Sequence, residues 1–130
     1  MTASEHQFNR VGIVVPAHNE QELLPECLAA LRCAATAVDV PVQVLVVLDM
    51  CTDRTADITG DTAVLAVWER NVGAARRAGF AHLLLELGAG QVWLATTDAD
   101  SQVPPTWLAD QLAHARCGAD GVAGMVSVTN

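Results

Sequence analysis

An almost continuously apolar run, Val42-Gln43-Val44-Leu45-Val46-Val47-Leu48, leads directly into Asp49. A strand with one face in solvent would alternate apolar and polar residues, whereas a strand covered on both faces is apolar along most of its length. Strands of the second kind belong to parallel sheets with helices packed on both sides. The run therefore predicts a central strand of an α/β sheet.

Four other apolar runs predict further strands. The first covers residues 11–15 and is closed by Pro16; the others cover residues 63–68, 92–97 and 121–128. Helical segments separate these runs, and strands that alternate with helices form parallel sheets with right-handed crossovers. We expect an α/β fold with a mostly parallel sheet of about five strands and helices on both faces.

Three segments between the strands predict helices. The first has Asn19 as its N-cap and carries apolar residues at helical spacing at Leu24, Leu28, Leu31 and Ala35. The second opens at Asn71, and its apolar face is predicted to include Ala74, Ala78, Ala81, Leu85 and their neighbours. The third opens near Trp107, just after two prolines.

Three polar segments are predicted to meet at one edge of the sheet, because the carboxyl ends of parallel strands share an edge. They are residues 16–20, 49–54 and 98–101. Asp98 and Asp100 in the last segment offer hard oxygen ligands, which suit Mg²⁺ or Mn²⁺. The same acidic pair could instead start a turn or cap the next helix, so its spacing alone leaves both interpretations open.

The charge of the chain limits its partners. The 130 residues include 15 Asp and Glu against seven Arg and no Lys, which gives a net charge of −8. Nucleic acid and anionic lipid would be repelled, so the charge argues against unassisted binding to either. A ligand that carries phosphate would need a cation to bridge it to the carboxylates.

The length suits one domain, predicted over residues 11–130 after an N-terminal tail at 1–10. The tail lacks the apolar segment of a secretory signal. No run approaches the roughly 18 apolar residues of a membrane-spanning helix. We expect a cytoplasmic chain with no transmembrane segment.

Four motifs, in this order, are similar to those of family 2 glycosyltransferases. They are Val14-Val15-Pro16-Ala17-His18-Asn19-Glu20, Val47-Leu48-Asp49-Met50-Cys51-Thr52-Asp53-Arg54-Thr55, Asn71-Val72-Gly73-Ala74-Ala75-Arg76-Arg77-Ala78-Gly79 and Thr97-Asp98-Ala99-Asp100, the last standing where the family has its Asp-x-Asp. The resemblance covers nearly the whole chain but only the amino-terminal, donor-binding half of the family's catalytic domain. It implies the Rossmann-like nucleotide-binding half of a GT-A fold.

The resemblance also implies a nucleoside diphosphate sugar as donor. The residues expected to bind it are Pro16, Ala17, Asn19, Glu20, Asp49, Arg76, Asp98 and Asp100. Asp49 would contact the base or ribose, Arg76 would lie near the base and phosphates, and Asp98 and Asp100 would hold the divalent cation on the diphosphate. The family's general base lies in the other half of its domain, and no residue here matches it.

Simpler interpretations exist for several of these residues. Glu20 could serve only as a favourable charge in the first turn of a helix, and Asp49 could form a turn. Asp53 is expected to be a loop cap rather than a ligand, and Arg76 could merely solvate a helix face. His18 is expected to be structural or exposed.

The second motif departs from the family pattern. Its first acid is replaced by Leu48, and its Gly-Ser pair is replaced by Met50 and Cys51. These changes reshape the base pocket and leave the nucleobase open.

The leading hypothesis is a glycosyltransferase that moves a sugar from a nucleoside diphosphate to an unknown acceptor. The alternative is a catalytically silent nucleotide-binding module or fragment. A nucleotidyltransferase or a dinucleotide-binding dehydrogenase is disfavoured, because residues 16–20 form no Gly-rich loop. A last strand over residues 121–128 would expose an unpaired apolar edge, so we also expect self-association.

Overall fold

The computed structural model describes residues 8–88 and 91–116, in which strands and helices alternate. The elements are β1 (Arg10–Ala17), α1 (Leu24–Thr36), β2 (Val42–Asp49), a 3-10 helix (Thr55–Thr59), β3 (Ala63–Val67), α2 (Val72–Leu87), β4 (Val92–Thr96) and α3 (Trp107–Arg116). Each of the four strands lies where an apolar run predicts one, and the order of strands and helices is as expected.

The four strands form one sheet in the order β3-β2-β1-β4. All neighbouring pairs are parallel, with Val14 of β1 aligned to Leu45 of β2 and to Thr96 of β4. The predicted parallel α/β sheet is therefore confirmed for these strands. The strand predicted over residues 121–128, and with it the edge expected to cause self-association, lies outside the described residues.

Helices cover both faces of the sheet, as predicted. On one face, α1 and α3 bury Leu28, Leu31 and Leu108 against β1, β2 and β4. On the other face, α2 packs closely against β1 and β2, because Gly79 has no side chain to hold it off. A Cβ at Gly79 would lie only 2.7 Å from Val47 Cγ2. The sheet is thus held from both sides, and its carboxyl edge has a fixed shape.

The buried face of α2 differs from the prediction. Its buried residues are Ala75, Gly79 and Leu83, whereas Leu85, which was expected in the core, is 85% exposed. The helix has small residues on several sides, so its apolar pattern gives little contrast between faces. Close contact at Gly79 decides which face packs on the sheet.

Two predictions about the first strand and helix are wrong. Pro16 does not end β1, which continues through it to Ala17. The pairing of β1 with β4 ends at Val14, so the missing N–H of Pro16 costs no bond to that strand. Asn19 is not the N-cap of α1, since that position belongs to Leu23, which makes no side-chain cap.

No helix within the described residues is both long enough and apolar enough to cross a membrane.

Candidate functional site

The loops after β1 and β2 are joined side by side at the carboxyl edge of the sheet. Asn19 makes the central contacts: its Oδ1 accepts from the backbone N–H groups of Thr52 at 2.8 Å and Asp53 at 3.2 Å, and its Nδ2 donates to Thr52 Oγ1. Asn19 has a φ of 52°, a left-handed conformation that asparagine tolerates better than most residues. Its local role is therefore to tie two loops together.

Further hydrogen bonds extend this contact along both loops. The N–H of Glu20 donates to Thr55 Oγ1 at 2.9 Å, and the N–H of Gln21 donates to Asp53 Oδ2 at 3.3 Å. In return, Gln21 Oε1 accepts from the N–H of Arg54 at 2.8 Å. The two loops therefore form one rigid unit.

Asp53 caps the start of the 3-10 helix, in agreement with its expected role as a loop cap. Its Oδ1 accepts from both the N–H and the hydroxyl of Thr55. Desolvation acts to raise the pKa of Asp53, but these bonds and the one from the Gln21 N–H hold it below its usual value. The side chain is charged and engaged with its neighbours.

Asp49, the last residue of β2, organises the loop between β3 and α2. Its Oδ1 accepts from the N–H groups of Glu69 at 2.8 Å and Arg70 at 3.1 Å, and its Oδ2 accepts from the N–H of Asn71 at 3.1 Å. Desolvation acts to raise the pKa of Asp49, but these three N–H groups hold it below its usual value. Only 6% of the residue is exposed.

His18 links the backbone at this point to the first loop. Its Nδ1 lies 2.7 Å from the carbonyl oxygen of Asp49. A carbonyl oxygen can only accept, so Nδ1 carries the proton, and Nε2 is left as the outward nitrogen. His18 is exposed, as expected from the sequence, but it is also a structural link.

Arg76 and Asp98 meet at the other end of the edge, beyond β4. Arg76 Nη2 lies 3.5 Å from Asp98 Oδ1, and Arg76 Nε donates to Thr96 Oγ1 at 3.2 Å. The Thr96 hydroxyl donates in turn to the carbonyl of Val14 at 2.8 Å. The Asp98 side chain is 59% exposed, so its carboxylate is open to a ligand.

The loop that carries Asp98 and Asp100 is held in place by a buried residue and by a contact with α1. Ala99 is buried between the two exposed aspartates, and the Cys27 thiol of α1 donates to the carbonyl of Asp98 at 3.5 Å. Desolvation, followed by the charges of Asp100 and Asp98, raises the pKa of Cys27 to about 12. Cys27 is therefore a neutral thiol that supports the loop.

Negative charge accumulates between the first loop and the Asp98 loop. Desolvation raises the pKa of Glu20 above its usual value, and the charges of Asp100 and Asp53 raise it further, while His18 lowers it. The carboxylates of Glu20 and Asp100 are thus close enough to repel each other. A cation placed here would relieve that repulsion.

The residues present fit a divalent cation that is shared with a ligand. Asp98 and Asp100 are both exposed and supply hard oxygen atoms. In residues 8–88 and 91–116, no three His, Cys, Asp or Glu side chains are grouped to hold a metal by themselves. Mg²⁺ is usually bound by one or two carboxylates together with substrate phosphates and water, so two aspartates are a sufficient protein contribution.

The sequence-predicted site residues fall into three groups. Pro16 and Ala17 are buried in β1, and Asp49 is buried at the end of β2. Asn19 is exposed but holds the second loop; Glu20 and Arg76 are half-buried. Asp98 and Asp100 are exposed. The structure brings Arg76 into contact with Asp98 and places Glu20 near Asp100.

Three residues that support this edge were not predicted from the sequence: Thr55, Cys27 and Arg70. Thr55 is completely buried and bridges Glu20 to Asp53. The sequence does offer one signal for Thr55, because it stands two residues after Asp53, and aspartate commonly accepts a hydrogen bond from the backbone two residues on. Nothing in the sequence pattern distinguishes Cys27 or Arg70.

The family model described as glycosyl transferase family 2 matches residues 12–130, nearly the whole chain. The chain belongs to this family. The sequence resemblance stated above is thereby confirmed.

Two curated relatives are named undecaprenyl-phosphate 4-deoxy-4-formamido-L-arabinose transferase. The protein from Enterobacter sp. (strain 638) is 32% identical over 124 residues, which cover 88% of this chain and 36% of the relative. The protein from Sodalis glossinidius (strain morsitans) is 33% identical over 108 residues, which cover 76% of this chain and 31% of the relative. The chain thus spans about a third of the length of these relatives.

Solved structures of S. aureus TarS share the fold. The crystal structure of TarS 1-349 superimposes with a TM-score of 0.62 at 23% identity and covers 80% of this chain and 31% of that chain. A complex of the same protein with UDP gives a TM-score of 0.60, and one with UDP-GlcNAc gives 0.57. The GT-A-like fold is therefore shown for this part of the family 2 domain.

The structure shows where the residues that differ from the family motif lie. Leu48, which replaces an acid, is 7% exposed and belongs to the core beneath the edge. Met50, which replaces a glycine, has a φ of 54° and so keeps the left-handed conformation that glycine adopts easily. Met50 therefore stands in a backbone conformation that a glycine would adopt without strain.

Proposed function

We propose that this chain is the donor-binding part of a family 2 glycosyltransferase that uses a nucleoside diphosphate sugar and a divalent cation. The observation that carries the proposal is the exposed Asp98-Ala99-Asp100 loop, paired with Arg76 at 3.5 Å, at the edge where the first and second loops are rigidly joined. Family membership supports the reaction class.

The strand order suggests how the donor lies on the edge. We propose that the diphosphate lies near Asp98, Asp100 and Arg76, after β4, and that the nucleoside extends across β1 towards β2 and Asp49, in keeping with the strand order. Asn19 and Glu20, with Pro16 and Ala17 behind them, border this path. Asp49 acts on the nucleoside mainly through the loop that it holds, since its carboxylate accepts three backbone N–H groups.

Asp98 and Asp100 are the residues that would hold Mg²⁺ or Mn²⁺. A divalent cation held there would neutralise the charge that develops on the departing nucleoside diphosphate. Arg76 supplies a second positive charge at the same end of the site, and its bond to Thr96 fixes its direction. The chain's own residues thereby position the leaving group.

The names of the curated relatives suggest the acceptor to test first. Both act on undecaprenyl phosphate by name and are 32% and 33% identical to this chain. We propose a polyprenyl phosphate as the acceptor class of the whole enzyme.

The donor is tested by thermal shift of the 130-residue chain. UDP-, GDP- and dTDP-sugars are screened with Mn²⁺ and with EDTA, because a ligand that binds only the folded state raises the melting temperature. We expect stabilisation by one base class, dependent on Mn²⁺. No stabilisation by any donor at millimolar concentration would contradict the proposal.

A silent nucleotide-binding module remains the second candidate, because no side chain in the described part of the chain is matched to a general base. The two candidates differ in transfer, not in binding. Release of free sugar from a bound donor, followed by chromatography, would exclude the silent module. Binding without release would support it for the isolated chain.

A further inference from the structure

The strand β3 carries exposed apolar side chains on one of its two faces. Ala63, Leu65 and Val67 pack towards the core beneath α2. The alternate residues point to the opposite face, where Val64 is 45% exposed and Trp68, directly after the strand, is 75% exposed. Large apolar side chains grouped in this way on a surface indicate a place where a partner binds.

The backbone of the same residues points away from the sheet. β3 stands at the edge of the described sheet, with β2 on its inner side. The carbonyl of Val67 accepts from the N–H of Met50, so it points inwards. Because backbone groups alternate in direction along a strand, those of Val64 and Ala66 point outwards, where a further strand could pair with them.

The alternation continues past the end of β3. The N–H of Glu69 donates to Asp49 Oδ1 at 2.8 Å and so also points inwards. The backbone groups of Trp68 therefore point outwards, in line with those of the strand. The outer edge offers three residues for pairing, namely Val64, Ala66 and Trp68.

The sequence of this edge does not discourage pairing. Exposed edges are usually protected by charged side chains or by proline, and residues 62–68, Thr-Ala-Val-Leu-Ala-Val-Trp, contain neither. Two copies of a chain with a net charge of −8 repel each other over most of their surface. An uncharged edge is where two such copies can approach.

A second copy fits this edge in an antiparallel register with the two-fold axis at Ala66. Ala66 then faces Ala66 of the second copy, and Val64 faces Trp68 of the second copy on both sides of the axis. Each of these three pairs can exchange two N–H···O bonds, because the backbone groups of all three residues point outwards. An aromatic residue opposite a β-branched one is also a favourable cross-strand pair.

The neighbouring registers are less favourable. Moving the axis by one residue towards the start of β3 would place Asp61 opposite Glu69 of the second copy, and like charges that face each other are destabilising. Moving it by two residues would place Trp68 opposite Gly60, which has no side chain to contact the indole ring. The charges and the apolar side chains thus favour the same register.

We infer that the β3 edge is a self-association surface, at which two copies of this chain join their sheets in antiparallel register about Ala66. An interface made mainly of one strand and two large apolar side chains per copy falls below the roughly 1,200 Å² of total buried area that is typical of stable complexes. The dimer therefore forms at high concentration and dissociates on dilution. This surface is distinct from residues 121–128, and the inference does not depend on the proposed function.

Sedimentation velocity of the 130-residue chain over about 10 µM to 1 mM tests the surface. We expect the wild type to shift from monomer to dimer as the concentration rises. Ala66→Lys places like charges opposite each other at the axis, so it should weaken dimerisation at least about tenfold. Ala81→Lys adds the same charge on the exposed side of α2 and should dimerise like the wild type.

An exchange of charges tests the register. Val64→Glu and Trp68→Lys each disrupt the contact between these two residues and should each weaken the dimer at least about tenfold. In the double variant, opposite charges face each other at both contacts, so it should dimerise at least about threefold more tightly than either single variant. Residues 64 and 68 lie roughly 13 Å apart along one strand, so they can pair only between copies. Urea unfolding checks that each variant folds.

The results support or overturn the inference as follows. Weakening by Ala66→Lys, with recovery in the double variant, would support both the surface and the register. A wild-type dimer that Ala66→Lys leaves unchanged would overturn the inference and assign self-association to another surface, such as residues 121–128. Failure of the double variant to recover would overturn the register.

A wild-type chain that stays monomeric at every concentration would also overturn the inference. Hydrogen exchange at the amides of Val64 and Ala66 would then identify what the edge does bind. Slow exchange would assign the edge to another segment of this chain. Fast exchange would leave it open to an extended segment of a different protein.

Discussion

The carboxylate of Asp49 and those of Asp98 and Asp100 lie at the same edge of the sheet, yet the fold uses them differently. Asp49 is buried and accepts three backbone N–H groups. Asp98 is exposed, and its carboxylate lies 3.5 Å from Arg76. We call the first region, with Asp53 and Thr55, the framework end, and the Asp98–Asp100 loop the open end.

This difference in burial and hydrogen bonding indicates where a ligand can bind. A carboxylate whose oxygens already accept hydrogen bonds stabilises a loop and has little capacity left for a ligand. An exposed carboxylate contributes little to folding and keeps its oxygens for a cation or a phosphate. Substitutions at the framework end should therefore act on stability, and those at the open end should act on binding.

The largest effect on stability is expected at Asp49. In Asp49→Asn, one side-chain atom becomes a donor that faces a backbone N–H, and the remaining bonds lose their charge. Unsatisfied buried groups of this kind cost about 2–3 kcal/mol. Urea unfolding measures the change in the free energy of unfolding. Asp57→Asn is the control, because Asp57 is exposed and pairs with Arg54 only at the surface; equal losses in the two variants would refute the framework role.

The effect of Asp49 should depend on pH. Because its pKa is lowered in the folded chain, the stability that it contributes is complete above the pKa of the unfolded chain and is lost as the pH falls through the folded pKa. The difference between wild type and Asp49→Asn should therefore be constant near neutral pH and shrink below about pH 4. Asp53 also has a lowered pKa, but it is present in both proteins and cancels. Urea unfolding across this range measures the gap, and a gap that widened in acid would show that Asp49 is not the cause.

A smaller loss is expected at Thr55. Its hydroxyl is completely buried, accepts from the N–H of Glu20 and donates to Asp53. Thr55→Val keeps the shape and removes both bonds, so it should cost about 1–2 kcal/mol. Thr52→Val, an exposed neighbour in the same loop, should stay within about 0.5 kcal/mol and serves as the control for urea unfolding. The prediction fails if the exposed threonine matters as much as the buried one.

The smallest effect on stability is expected at the open end. Asp98→Asn together with Asp100→Asn removes two exposed charges from a region where Glu20 and Asp100 repel each other. We expect a change within about 0.5 kcal/mol, because exposed groups contribute little. A loss comparable to that of Asp49→Asn, measured by the same urea unfolding, would show that the two ends are not different.

The sequence was sufficient for the four described strands and for the sheet edge at which the candidate site residues lie. The strands are marked by apolar runs such as residues 42–48, and parallel topology alone places their polar ends together. The Asp-x-Asp loop could be found because both acids stand directly after a strand. These features depend on residues that are close together along the chain.

The contacts within the site could not be predicted, because their partners are distant in sequence. Asn19 binds Thr52, which is 33 residues away, and Asp49 binds N–H groups 20 to 22 residues away. Backbone N–H groups carry no sequence signature, so nothing marked them as the partners of Asp49. The prediction of the buried face of α2 was wrong for a different reason. Small residues such as Ala75 and Gly79 give a weak apolar pattern, so the sequence does not distinguish one face of the helix from another.

The most direct test of the division between the two ends is nucleoside diphosphate binding, measured by calorimetry with and without Mn²⁺. The account predicts that Asp98→Asn/Asp100→Asn folds normally and loses at least about tenfold in Mn²⁺-dependent affinity, equal to about 1.4 kcal/mol. Thr55→Val should instead be less stable, yet bind within about threefold of wild type when folded. Unchanged Mn²⁺-dependent binding in the double aspartate variant would contradict the account.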